Sequence, residues 1–85
     1  MKEITLDGKY LQRTEAGHLY LMQMLDFPEY YGKNMDALYD LLTEIAEPVA
    51  IRIENLNAMD MKMRRVFQEA ALDNEGVLFV KFVDK

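Results

Sequence analysis

Pro28-Glu29-Tyr30-Tyr31-Gly32-Lys33-Asn34-Met35-Asp36-Ala37-Leu38-Tyr39-Asp40-Leu41-Leu42-Thr43-Glu44-Ile45-Ala46-Glu47-Pro48-Val49-Ala50-Ile51-Arg52-Ile53 holds a connector, a helix, a break and a strand in one run. Asn34 suits an N-cap and Asp36 a first helical turn. At roughly 100° per residue, Met35, Leu38, Leu41, Leu42 and Ile45 share one face. Asp36, Tyr39, Asp40, Thr43 and Glu47 share the opposite one. Pro48 is expected to stop the helix. Val49–Ile53 places β-branched residues at alternating positions, which predicts a strand.

The same reading extends outward. Lys2–Leu6 alternates apolar and polar residues as a half-buried strand does, and Asp7-Gly8 marks a turn. Thr14, with Glu15 behind it, opens a first helix. Leu19, Met22 and Leu25, or equally Leu21 and Met24, continue it at helical spacing until Pro28. Asn57 and Asp60 resemble a capping pair. Met59, Met63, Val66, Phe67 and Ala70 predict an amphipathic helix, which Asn74–Gly76 breaks. Val77–Val83 is the most apolar run and predicts a buried strand. The order β-α-α-β-α-β favours an α/β fold, with a three-stranded parallel sheet joined by right-handed crossovers and packed with about three helices. Residues 1–85 are expected to form a single small domain.

Composition narrows the function. Of 85 residues, 51% are hydrophobic and none is cysteine, so an apolar core must supply the stability without disulfides. No stretch is long enough to cross a membrane, and the N-terminus lacks the apolar run of a secretion signal. A complete, cytoplasmic chain is therefore expected. Formal net charge is −5, which suits a basic partner better than nucleic acid or an anionic membrane. Between Asp26 and Glu47, six acids face Lys33 alone. This one segment carries the whole formal excess.

Few residues offer catalytic chemistry. There is no serine, no cysteine and no glycine-rich phosphate loop. His18 is the only histidine and has no motif around it. Asp36 and Asp40 form an i, i+4 carboxylate pair. They fit a solvated helix face, a glycosidase-like acid pair, a hard-cation site or a protein-binding surface. A glycosidase needs a concave sugar site, and a cation needs more oxygen ligands than this pair supplies. Tyr30, Tyr31 and Tyr39 favour the protein-binding reading, because tyrosine is enriched in interface cores. One or both rings of Tyr30 and Tyr31 could instead cover the end of the core; at least one is expected to be exposed. Gly32 would allow a positive φ or a partner's close approach, or simply a turn.

The segment from Pro28 to Thr43 resembles the signature of the barstar family, intracellular inhibitors of secreted bacterial ribonucleases of the barnase type. The matching pattern is P-E-Y-Y-G-x-N-x-D-A-L-x-D-x-L. Val66-Phe67-Gln68-Glu69-Ala70 and the apolar terminal strand agree more loosely. The resemblance implies a small three-stranded parallel sheet packed with helices. It also implies a partner-binding surface at Tyr30, Tyr31, Gly32, Asn34, Asp36, Tyr39, Asp40 and Thr43, with Glu69 as a further acidic contact. Asp40 would enter the nuclease active site where an RNA phosphate normally sits. Asp36 would pair with another basic residue, and the tyrosines would exclude water. The implied protein is no enzyme, takes no cofactor or metal, and forms a 1:1 complex as an inhibitor or immunity protein in a toxin–antitoxin pair.

Three departures stand out. Tyr39 replaces a tryptophan of the best-known member. The connection between Ile53 and the last helix is too short for a helix found there in that member. The stretch Ala70–Gly76 is longer, which leaves Glu75 unaligned with a further acidic contact. Two other readings stay open. The same face could bind a different basic protein or toxin, or the Asp36/Asp40 pair could serve a small metal-binding or hydrolytic protein.

Overall fold

The computed structural model describes residues 1–85. Its elements are β1 (Lys2–Asp7), α1 (Glu15–Met24), α2 (Met35–Glu44), β2 (Val49–Glu54), α3 (Met61–Asp73) and β3 (Leu78–Phe82), the order expected from the sequence. Single 3₁₀ turns at Gly8–Tyr10 and Leu56–Ala58 complete it. The first follows the Asp7-Gly8 turn signal. The second is all that the short connection after β2 accommodates.

β2 lies between β1 and β3 and pairs in parallel with both. Ile4, Ile51 and Val80 stand in register, as do Leu6, Ile53 and Phe82. Two right-handed crossovers moving in the same direction across a sheet put their helices on the same face. Burial agrees: Leu6, Val49, Ile51, Ile53 and Leu78 are buried, whereas Arg52 and Phe79 on the other face are exposed. This corrects the reading of Val77–Val83 as a buried strand. β3 is an edge strand with one uncovered face, and Phe79 is 44% exposed.

The core behind the sheet contains Leu11, Leu21, Leu38, Leu42, Met63 and Phe67, all fully buried. Burying a side chain of this size contributes about 1.5–3 kcal/mol. Each helix starts with a side chain that accepts an otherwise unpaired backbone N–H. Thr14 accepts from Gly17 at 3.1 Å, Asn34 from Ala37 at 2.8 Å and Asp60 from Met63 at 2.9 Å. Asp60 alone is the α3 cap. Asn57 lies in the preceding 3₁₀ turn, and Met59 is buried ahead of the helix. Asp60 is fixed there because its backbone N–H donates to the Leu11 carbonyl and Arg13 holds its carboxylate.

α2 ends at Glu44, four residues before Pro48, so Ile45 and Glu47 lie outside it. Pro48 has no N–H to offer the Glu44 carbonyl, and the carbonyls exposed at this end find a donor across the molecule. The Asn74 side-chain amide donates to the Leu42 carbonyl at 3.1 Å and the Ile45 carbonyl at 3.0 Å. A helix leaves its last carbonyls without internal partners, and Asn74 satisfies them from the end of α3. In α1 the buried face comprises Gly17, His18 and Leu21, while Leu19 and Met24 are exposed. That face packs on the Leu11–Gln12 segment so closely that a Cβ on Gly17 would sit 2.0 Å from the Gln12 carbonyl oxygen.

Two substitutions test these contacts by urea denaturation. Alanine gains about 1 kcal/mol over glycine in a helix, but the clash dominates, so Gly17→Ala should destabilise by about 1–3 kcal/mol net. Asn74→Ala should cost about 1–2 kcal/mol, because it uncaps α2 while leaving the core intact.

Candidate functional site: an acidic face on α2

The loop that precedes α2 is built from the core outward. Tyr31 is only 4% exposed, and its ring packs on Phe27 with centroids 5.0 Å apart. Its hydroxyl is hydrogen-bonded to Nδ1 of buried His18 at 2.6 Å. Burial pushes the Tyr31 phenol up to about 12 and the His18 imidazole below its ordinary value. Both groups are therefore neutral at pH 7. Tyr30, one residue earlier, is 80% exposed. The two adjacent tyrosines thus divide the work: Tyr31 ties the loop to α1, and Tyr30 projects from it.

Gly32 does not take a positive φ. The left-handed residues of this loop are Asp26, with φ 55°, and Lys33, with φ 53°. What Gly32 provides is clearance, since a Cβ there would lie 3.2 Å from the Asn34 amide nitrogen and 3.4 Å from Ala37 Cβ. Asn34 caps α2 and its amide also donates to the Gly32 carbonyl at 3.3 Å. Asn34 thereby couples the loop to the helix.

On α2, Asp36 and Asp40 are exposed and neither forms an ion pair. The two ion pairs of the protein, Arg13–Asp60 and Arg52–Glu54, lie elsewhere. Asp40 is shared by two depressions. One, of about 520 Å³, is lined by Met35, Asp36, Tyr39, Asp40, Val66 and Glu69, and so joins α2 to α3. The other, of about 200 Å³, is lined by Tyr30, Tyr31, Gly32, Ala37, Asp40, Leu41 and Glu44. The structure therefore gathers Asp36, Tyr39, Asp40 and Glu69 around one groove, and Tyr30, Gly32 and Asp40 around the next.

Tyr39 is half-buried, and its hydroxyl donates to the Asp73 carboxylate on α3. That hydrogen bond, with the neighbouring charges of Asp73, Glu69 and Asp40, holds the Tyr39 phenol above its ordinary value. Thr43 is also half-buried, and its hydroxyl donates to the Tyr39 and Asp40 carbonyls at 2.9 and 3.0 Å. It stiffens the turn that carries Asp40.

Two residues of this face escaped the sequence reading. Glu44 lines the Tyr30 depression, and its place in the i, i+4 column Asp36–Asp40–Glu44 was the available signal. Asp73 had no such signal, because its role depends on how α3 lies against α2. Glu75 follows Asn74, beyond the end of α3, and lines neither depression. Nowhere do three His, Asp or Glu side chains converge to hold a metal ion.

The column of acids opposes helix stability. Like charges at i, i+4 cost about 0.2–0.5 kcal/mol per pair, and Glu44 in the last turn meets the negative end of the helix dipole. Only Asp36, in the first turn, is favourably placed. Residues 1–82 match the sequence profile of the family described as Barstar (barnase inhibitor). The chain belongs to the barstar family. It is 41% identical over 56 residues to a protein of Bacillus subtilis (strain 168) named "Putative ribonuclease inhibitor YrdF", a stretch covering 65% of this chain and 62% of that relative.

The burial of His18 makes stability depend on pH. The unfolded chain takes up a proton near pH 6.5 that the folded imidazole, with its lowered pKa, refuses. Stability is thus fully present above that pH and is lost as pH falls through 6.5 toward the folded value. Urea midpoints at pH 7.5 and 5.5 should drop further for the wild type than for His18→Gln.

Proposed function

We propose that this protein inhibits a barnase-type ribonuclease by plugging its basic active site with the acidic face of α2. The observation that carries the reading is the pair Asp36 and Asp40, exposed, free of internal cations and flanked by two depressions. A ribonuclease must hold phosphates with positive charge, so a preformed array of carboxylates can occupy the place of its substrate. Asp40, which lines both depressions, is the substitute for an RNA phosphate. Asp36 and Glu69 meet cations across the groove. Tyr30 and Tyr39 exclude water around them, which strengthens each charge contact. In this reading Tyr31, Asn34 and Thr43 hold the surface in shape from behind, and Gly32 keeps the approach clear. The family membership and the ribonuclease-inhibitor name of the Bacillus subtilis relative support the choice of partner.

A stoichiometric titration of barnase-type enzymes, at low and high salt, tests it. Inhibition should saturate at one chain per enzyme, and its rate of onset should fall as salt screens the attraction. Asp40→Ala should weaken inhibition by at least about a hundredfold, since truncating one partner of a desolvated charge pair costs about 2–5 kcal/mol, a range to which this family's own complexes contributed. The same substitution should leave stability unchanged or raise it by about 0.5 kcal/mol, because it relieves two like-charge pairs. Unaltered RNA cleavage by every enzyme tried would reject ribonuclease inhibition and direct the search to another basic protein.

A further inference from the structure

Tyr39 presents an unusual arrangement for a residue at a binding face. Its hydroxyl, the group best able to reach a partner, is already committed inside the chain to Asp73. Asp73 in turn takes part in neither ion pair and is the last residue of α3, where a carboxylate faces the unfavourable end of a helix dipole. The two residues come from different helices and are 34 positions apart. Beside them, Asn74 makes the second tie between the same helices through the Leu42 and Ile45 carbonyls. Tyr39 therefore spans from α2 to α3, and its ring forms a wall of the groove that Asp36, Asp40 and Glu69 also line. Thr43 adds a constraint from below by bonding the Tyr39 carbonyl.

We propose that Asp73 is a positioning residue of the acidic face: it accepts the Tyr39 hydroxyl and so fixes the ring across the groove, leaving the ring face, not the hydroxyl, to meet the partner. The inference rests on the inhibitory reading given above. A free tyrosine would lose rotamer freedom on binding, whereas a ring already held by Asp73 has little left to lose. Asp73 thus acts through Tyr39 and needs no contact with the partner.

Two measurements decide it. Ultraviolet pH titration of the free protein reads the lock directly. One phenol beyond buried Tyr31 should titrate late in the wild type, and it should return to the ordinary range in Asp73→Ala. Inhibition titrations with a barnase-type ribonuclease read the consequence. Asp73→Ala and Tyr39→Phe should each weaken binding about three- to tenfold, and the double variant should be no weaker than either single one. Asp73→Asn, which can still accept the hydroxyl, should retain most of the affinity. If Tyr39→Phe loses affinity equally in the Asp73→Ala background, the hydroxyl meets the partner itself and the inference is wrong. If Asp73→Asn is as weak as Asp73→Ala, the charge matters and the positioning role is likewise overturned. Should the wild type inhibit no ribonuclease, the functional reading fails, and an unchanged late titration would still mark the lock as real.

Discussion

Parallel pairing on both sides of β2 is the constraint from which the rest follows. Parallel strands cannot be joined by tight turns, so each connection must cross over the sheet. With β2 central, both crossovers run the same way and bury the same face. All three helices are therefore forced into one layer, and α2 and α3 come together within it. The groove between them, and hence the meeting of Asp36, Asp40 and Glu69, is a result of strand order. The same constraint leaves the back of the sheet open, with Arg52 and Phe79 facing water.

The stability of the molecule and the chemistry of its acidic face pull in opposite directions. A helix designed for stability would place acids in its first turn and bases in its last. α2 has Asp36 in the first turn, then Asp40 and Glu44 with no base in the last. The deficit is met from outside the helix. Asn34 caps its start, Asn74 caps its end, and Leu38 and Leu42 fix it to the core. Each neutral device offsets part of the repulsion without neutralising the charges. A lysine paired with Asp40 would stabilise the helix as well, but it would quench the field of the carboxylate.

Much of this was legible along the chain. The apolar face of α2, its Asn34 cap and the alternation in Val49–Ile53 are local patterns, and the structure follows them. The division between Tyr30 and Tyr31 was visible only as an alternative, because adjacent residues of one type carry no sign of which points inward. What decides is His18, thirteen residues away, whose imidazole meets the Tyr31 hydroxyl. The last residues of α2 show the same limit: Pro48 does stop the helix, but the stop falls at Glu44, whose carbonyl the proline cannot bond, and the Asn74 cap comes from 29 residues beyond Ile45. Phe79 was assigned to a buried strand because an apolar run does not show whether a sheet is covered on one face or two. The family pattern points to Asp36 and Asp40, but not to Asp73, whose contact with Tyr39 arises from the packing of two helices.

The concentration of acids on one segment has a mechanical consequence. Residues 26–47 hold all of the net charge, while the remainder of the chain is balanced. The center of charge is therefore displaced from the center of mass toward α2. Near a positively charged surface such a body feels a torque as well as an attraction. It turns α2 forward before any contact is made, and under the proposed inhibition a larger fraction of random collisions would begin in a productive orientation.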